Sequence, residues 1–149
     1  MSFFGVGKAT AFGKKFAKLI KDCNELQAEI DFAGSYEDGT PVAQVAIWQE
    51  FGTVNIPARP FMRTAIRNSK LKLTVEATKE FNRQLKGPCS ARTIFNVEGA
   101  VLRDAVIHEI DAGHYTPNAP ATVAKKGFNH PLLDTGKMRD STTYKVTYK

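Results

Sequence analysis

Two long stretches with few helix-breaking residues constrain the fold of this chain more than any other feature. The first runs from Phe61 to Lys86 and the second from Ser90 to about Asp111. In both, apolar residues recur three and four positions apart, as they do on one face of an α-helix. Gly87-Pro88 lies between them and interrupts any continuous helix. The sequence therefore predicts two long helices joined by a sharp turn, with Ser90 capping the second. The predicted core-facing residues are Phe61, Ala65, Leu71, Val75, Thr78 and Phe81 in the first helix and Ile94, Val97, Val101, Ala105 and His108 in the second.

Shorter elements flank this helix pair. Residues Ala11–Asn24 have helical spacing of apolar side chains, whereas Glu25–Ala33 and Ser141–Lys149 alternate as half-buried strands do. Thr40-Pro41 predicts the N-cap and first residue of a short helix, which covers Val42–Phe51 and ends at Gly52. The expected core faces are Phe12, Phe16, Leu19, Ile20 and Cys23 in the first helix and Val42, Val45, Ala46 and Gln49 in the short one.

These elements do not alternate as β-α-β units, so the predicted fold class is α+β. We expect a small antiparallel sheet of two to four strands, packed against the two long helices and the shorter N-terminal helices. Residues 1–24 are predicted to form a basic N-terminal arm and helix, and residues 25–149 a single domain. Residues 114–130 are rich in Pro, Ala, Gly and Thr and are expected to form an irregular loop within that domain.

The composition is typical of one soluble domain, with 149 residues, 42% hydrophobic and 24% charged. The net charge of +6 is concentrated at the two ends. Between Met1 and Asn24 five lysines stand against one aspartate, and between Lys125 and Lys149 six basic residues stand against two acids, so each end carries +4 and the middle −2. Clustered positive charge attracts nucleic acid or an acidic neighbouring subunit. Solvated ends without a partner are the alternative.

The segment most suggestive of catalysis is Leu132-Leu133-Asp134-Thr135-Gly136. A hydrophobic pair followed by Asp-Thr-Gly resembles the active-site signature of aspartic proteases, in which two aspartates share one proton across a two-fold axis. Those enzymes need a small residue after the glycine, and Lys137 stands there instead. The alternative is that Asp134 and Thr135 cap a turn while Gly136 supplies a permissive backbone.

No metal or cofactor site is predicted. His108 and His114 are six positions apart with Gly113 between them, whereas zinc proteases need histidines four apart on one helical face. Cys23 and Cys89 stand in no metal-ligand or disulfide spacing. No stretch approaches the length of apolar residues that a membrane span requires. These patterns favour a protein that is not an enzyme and has no cofactor.

A family resemblance rests on two motifs. Trp48-Gln-Glu-Phe-Gly-Thr53, followed by Ile56-Pro-Ala-Arg-Pro-Phe-Met-Arg63, is similar to the signature of tail-completion or head-to-tail joining proteins of tailed bacteriophages, also called minor tail components. Asn118–Gly127 followed by Pro131–Ser141 resembles an element of Mu-like virion-morphogenesis proteins. The motif residues are Trp48, Glu50, Phe51, Gly52, Thr53, Pro57, Arg59, Pro60, Phe61, Asp134, Thr135, Gly136 and Arg139.

The residue types in the first motif suggest local roles. Phe51-Gly52 should close the short helix, Pro57 and Pro60 should stiffen the following turn, and Phe61 should anchor it in the core. Arg59, held between prolines, suits a preorganised salt bridge with Glu50 or with a neighbouring subunit. A pair that only stabilises the local fold is the alternative.

The resemblance implies a non-enzymatic virion protein, assembled in the host cytoplasm, that forms a ring at the neck or tail end and completes the tail or joins it to the head. Its implied partners are further copies of itself, the neighbouring neck, tail-tube or head-closure proteins and, non-specifically, the passing DNA, but no membrane. Rings need two complementary patches on each subunit. The residues expected at such an interface are Arg59, Tyr115, Lys125 and Lys126. A dimeric hydrolase using Asp134 and a DNA-binding accessory protein are the alternatives.

Overall fold

The computed structural model describes residues 10–149, which form six helices and a two-stranded sheet. The α+β fold class is therefore confirmed. The first nine residues of the predicted basic arm lie outside the described part. The helices are α1 (Ala11–Glu25), α2 (Val42–Phe51), α3 (Phe61–Lys86), α4 (Ala91–Ala112), α5 (Pro120–Lys126) and α6 (Lys137–Asp140), and the strands are β1 (Leu26–Phe32) and β2 (Thr142–Tyr148).

Helices α3 and α4 form the predicted hairpin, and their bounds agree with the prediction to within one or two residues. They run antiparallel, because Phe61 at the start of α3 shares a core cluster with Ile110 at the end of α4, and Phe81 packs on the cluster that contains Ile94. Ser90 occupies the N-cap position of α4, but its side chain makes no capping bond. Its backbone N–H instead donates to Oε1 of Gln84 at 2.9 Å.

The sheet pairs β1, which follows α1, with β2 near the end of the chain. Strands β1 and β2 are antiparallel, with Leu26 opposite Tyr148 at one end and Phe32 opposite Thr142 at the other. Helix α4 lies against this sheet, and the buried Gly99 permits the close approach, since a Cβ there would overlap the ring of Tyr144. The last strand thus pairs with the first, as the alternating patterns predicted.

The core has two clusters at opposite ends of the α3–α4 hairpin. One gathers around Phe61 and includes Phe32, whose ring meets that of Phe61 edge-on at 6.2 Å between centroids. The other holds Leu19, Leu26, Ala91 and Ile94. Because Leu19 is fully buried in this second cluster, α1 packs against the part of the chain that follows it.

The predicted core faces of the helices are partly wrong. Residues expected inside but found exposed are Phe12, Phe16, Ile20, Leu71, Val75, Thr78 and His108. In α3 the buried side is Phe61, Ala65, Ser69, Glu80 and Gln84. Two of these buried residues, Ala65 and Ser69, are small. Glu80 and Gln84 are polar and lie near the turn, and their burial is tolerated because the Gln84 amide donates to the Glu80 carboxylate at 2.5 Å. Periodicity located the helix but could not show which side faced α4.

Two smaller expectations also need correction. Residues 114–130 are not irregular throughout, because Pro120 starts α5 and Gly127, with a positive φ of 81°, ends it. At α2 the N-cap is Pro41 rather than Thr40, and the buried face is Val42, Ala46 and Glu50 rather than one that includes Gln49. In the described range, no helix has the length and apolar character needed to cross a membrane.

Candidate functional site

The first motif forms the end of α2 and a tight loop into α3. As predicted, α2 ends at Phe51, and the backbone N–H of Gly52 donates to the Trp48 carbonyl at 2.8 Å. Gly52 has a φ of 77°, and a Cβ there would lie 2.8 Å from the Ala58 nitrogen. Glycine is therefore required both by its backbone conformation and by the returning chain. The Thr53 hydroxyl accepts N–H groups from the next residues of the loop, which tightens it further.

Glu50 fastens this loop to the start of α3. Its side chain is only 1% exposed, and its carboxylate accepts the backbone N–H groups of Met62 at 2.8 Å and Arg63 at 3.2 Å. Those are two of the N–H groups that a helix start leaves without intrahelical acceptors. Arg63 Nε also donates to Glu50 at 2.8 Å, so the ion pair of Glu50 is with Arg63. The predicted Arg59–Glu50 salt bridge is wrong, because the Arg59 side chain is directed toward Gln49 and Thr116 instead.

Arg59 instead connects the two motifs. Its guanidinium donates to the backbone carbonyls of Thr116 at 2.8 Å and Pro117 at 3.2 Å and to Oδ1 of Asn118 at 3.3 Å. A further bond of 2.6 Å reaches Oε1 of Gln49. The side chain is 4% exposed, and burial lowers the pKa of Arg59. One arginine thus ties α2 to the start of the segment that carries the second motif.

The two motifs line one cleft of about 360 Å³. Trp48, Gln49 and Arg59 contribute from the first motif, and Asn118, Lys126, Asp134, Thr135 and Gly136 from the second. Gly136 has a φ of 82° and precedes α6, so its role as a permissive backbone position is as expected. Arg139, the last motif residue, lies outside this lining and pairs with Asp111 at 2.6 Å and Asp140 at 3.1 Å. Its hydrogen bonds to these two carboxylates raise the pKa of Arg139.

The four residues expected at a subunit interface differ in their availability. Arg59 is buried, and Lys126 donates to the backbone carbonyls of His130 at 3.1 Å and of Leu133. The Tyr115 hydroxyl donates to Oε2 of Glu109 at 2.8 Å. Burial, together with this bond to Glu109, raises the pKa of Tyr115 to about 12. Of the four, Lys125 alone is exposed, and contact with a neighbouring subunit stays a prediction for all of them.

The surroundings of Asp134 bear on the aspartic-protease alternative, which needs two paired carboxylates. Asp134 is exposed, and no hydrogen bond joins its carboxylate to another acid in the part of the chain that the structure describes. Asp38 lines the same cleft, but its carboxylate accepts the Thr40 N–H at 2.9 Å, and this bond lowers the pKa of Asp38. Within residues 10–149, no group of three or more His, Cys, Asp or Glu side chains is placed to hold a metal ion.

An exposed apolar surface beside the cleft was missed by the sequence reasoning. It consists of Ile47, Trp48 and Phe51 on the outer side of α2 and Val54 in the loop, and is called the α2 surface below. Ile47 is 47% exposed, Phe51 64% and Val54 fully exposed. The guanidinium carbon of Arg63 lies 5.1 Å from the Phe51 ring centroid. The available signal was that α2 carries apolar residues on more than one side, among them Ile47, Trp48 and Phe51, whereas a helix with one face in the core needs only one apolar side.

Comparison of this chain with protein-family models, with curated proteins and with solved structures gives no significant match.

Proposed function

We propose that this protein is a structural subunit of a tailed-phage virion, one of several copies that form a ring at the neck or tail end and complete the tail or join it to the head. The observation that carries the proposal is the meeting of the two motifs. They are separated by more than fifty residues, yet Arg59 of the first bonds Asn118 of the second, and both line one cleft. Such a union supports a single assembly element rather than two unrelated local turns.

The α2 surface supports the oligomeric part of the proposal. Scaling the roughly 150–250 Å² of a large side chain by the exposed fractions of Ile47, Trp48, Phe51 and Val54 gives about 400–600 Å² of mostly apolar surface. The largest apolar patch on a typical monomer has about this size and is often functional. One partner contributes about 800 Å² to a standard interface, and interface cores are mainly apolar.

A second exposed apolar strip lies at the other end of the molecule. Phe12, Phe16 and Ile20 of α1 are between 40% and 62% exposed, and Phe16 packs edge-on against Phe81 near the end of α3. The α2 surface lies near the start of α3, about 30 Å away at 1.5 Å per helical residue. Two different apolar patches at opposite ends favour head-to-tail contacts, which close into rings when the rotation between neighbours permits.

Deletion of the gene from the phage genome that carries it tests the proposed function. The expected result is that tails of abnormal length or unjoined heads and tails accumulate in electron micrographs, with infectivity lost. Expression of the wild-type chain and of Asp134→Asn from a plasmid should both restore infectivity, because no catalytic aspartate is involved. Normal infectious particles after deletion would refute the structural role, and rescue by the wild type but not by Asp134→Asn would favour a hydrolase.

A further inference from the structure

Arg59 is a buried cation that forms no ion pair with any acidic residue of residues 10–149. All four hydrogen bonds of its guanidinium go to uncharged oxygens, two from backbone carbonyls and two from the amides of Gln49 and Asn118. The fifteen acidic residues of the protein all lie within residues 10–149, and none of them forms an ion pair with Arg59. Buried charges in proteins are ordinarily paired, because an isolated one is costly. This environment therefore favours an anion from outside the chain.

Hydrogen-bond donors at and next to Arg59 also lack acceptors in the described residues. The Asn118 side-chain nitrogen is buried and has no acceptor in the described residues. Its orientation is fixed by chemistry, because a guanidinium only donates and so the Asn118 oxygen must face it. Nη1 of Arg59 uses one of its two N–H groups, in the bond to Gln49. Two adjacent side chains, Arg59 and Asn118, thus have N–H groups without an acceptor in residues 10–149. The group that would complete this site is therefore a hydrogen-bond acceptor.

The cleft adds positive charge around these donors. Lys126 lies on its wall with Arg59 and Asn118. Burial lowers the pKa of Lys126, the carboxylate of Asp134 acts in the opposite direction, and the nearby charge of Arg59 lowers it further. The effect of Asp134 on Lys126 is larger than that of Arg59, so Asp134 compensates Lys126 and leaves the buried Arg59 as a cation without an ion pair in the described residues. A planar, negatively charged acceptor would satisfy the free donors and supply Arg59 with a counter-charge, and a carboxylate has this chemistry.

We propose that the Arg59 cleft is a carboxylate-binding site and that, in the assembled protein, an acidic side chain of a neighbouring copy occupies it. The site itself is independent of the virion role, whereas the neighbouring copy as the source of the carboxylate rests on the proposed ring. In such a ring the carboxylate of one subunit would bind Arg59 and Asn118 of the next. Because these two residues belong to the two different motifs, assembly would strengthen the contact between the motifs.

Trp48 provides a direct readout, because it is the single tryptophan of the chain and lines the cleft. Sodium acetate is titrated into dilute wild-type protein at constant ionic strength, with sodium chloride as the balancing salt, and tryptophan emission is recorded. We expect a saturable change in emission and a rise in Tm of about 3 °C near saturation. A response no different from that of chloride alone would overturn the site.

Asn118→Asp is the decisive variant, because it places a carboxylate beside Arg59 within the chain at almost unchanged size. We expect the saturable acetate response to be lost in Asn118→Asp. Asn129→Asp is the matched control, since it makes the same amide-to-carboxylate change at an exposed neighbour whose oxygen accepts the Asn118 backbone N–H. The control should keep the wild-type response. A response of wild-type size in Asn118→Asp would contradict the proposal, and the wild-type titration stands alone if that variant does not fold.

Sedimentation of the assembled protein in acetate and in chloride separates the two possible sources of the carboxylate. If a neighbouring copy supplies it, acetate competes and lowers the assembled mass by dissociating subunits. An unchanged mass while the Trp48 signal saturates would overturn the neighbouring copy as the source. Absence of the protein from virions would refute the ring role but would leave the Trp48 titration unaffected, so the two ideas fail separately.

Discussion

Single residues hold the junction between α2 and α3. Glu50 is a glutamate at a buried helix position, where charge is costly unless each carboxylate oxygen finds a donor. It finds them in the Met62 and Arg63 backbone N–H groups and in the Arg63 guanidinium. This explains why α3 starts firmly after Pro60 although no N-cap side chain serves it. The carboxylate comes from α2, 12 residues before Met62 in the chain, and the loop between the helices brings it to the start of α3.

Glu50→Gln should therefore destabilise the fold by about 2 kcal/mol, because a neutral amide weakens the bonds to Arg63 and turns a donor toward backbone N–H groups. Urea unfolding monitored by circular dichroism measures the change. The matched control is Glu76→Gln, whose carboxylate pairs with Lys79 at the surface at 2.8 Å and should cost less than about 0.5 kcal/mol. Equal effects of the two substitutions would contradict the role assigned to Glu50.

The ionisation of Tyr115 predicts how the stability of the fold depends on pH. Its folded-state pKa of about 12 lies above the ordinary value of 10.0, so the folded protein holds this proton more tightly than the unfolded chain does. The stability that the protonated hydroxyl contributes is thus fully present below pH 10 and is lost as the pH rises toward 12. Of the four tyrosines, Tyr115 should be the last to ionise by ultraviolet absorbance. Tyr115→Phe should remove that last step, and the exposed Tyr148→Phe should not; the reverse result would refute the assignment.

Elements differ in how far the sequence could predict them. Their bounds followed from Gly52, from Gly87-Pro88 and from Gly113, which act through the local backbone. The buried faces did not follow, because they depend on which side of α3 meets α4. The partners of Arg59 were equally inaccessible, since three of its four bonds reach residues 57 to 59 positions away. The union of the two motifs was thus visible only in the folded chain, although each motif could be located beforehand.

The contact between α4 and the sheet depends on Gly99. Gly99→Ala adds a methyl group into the ring of Tyr144, which should cost about 1–3 kcal/mol of stability as overpacking does. That cost should exceed the gain of about 1 kcal/mol that alanine normally brings inside a helix. Thermal unfolding compares it with Gly13→Ala in α1, where the added Cβ meets only the Thr10 hydroxyl at 3.3 Å. An unchanged or increased Tm for Gly99→Ala would show that α4 and the sheet do not pack as described.

The exposed α2 surface is expected to contact a second copy of the protein. Val54→Asp should leave the free energy of unfolding within about 0.5 kcal/mol of the wild type, because a fully exposed side chain makes few contacts. The same change should weaken self-association at least tenfold in sedimentation velocity experiments, because it brings a charge into an apolar interface. Leu71→Asp changes an exposed leucine in the middle of α3 and is the control. Equal association of wild type and Val54→Asp would exclude this surface from the interface.

Quantitative mass spectrometry of purified, infectious particles tests most directly whether the protein is a built-in part of a phage particle. We expect the protein to be present at a small, fixed number of copies per particle, in constant ratio to the other neck or tail proteins and resistant to washing in high salt. Its absence from the particles, or an amount that varies with washing, would contradict the structural role.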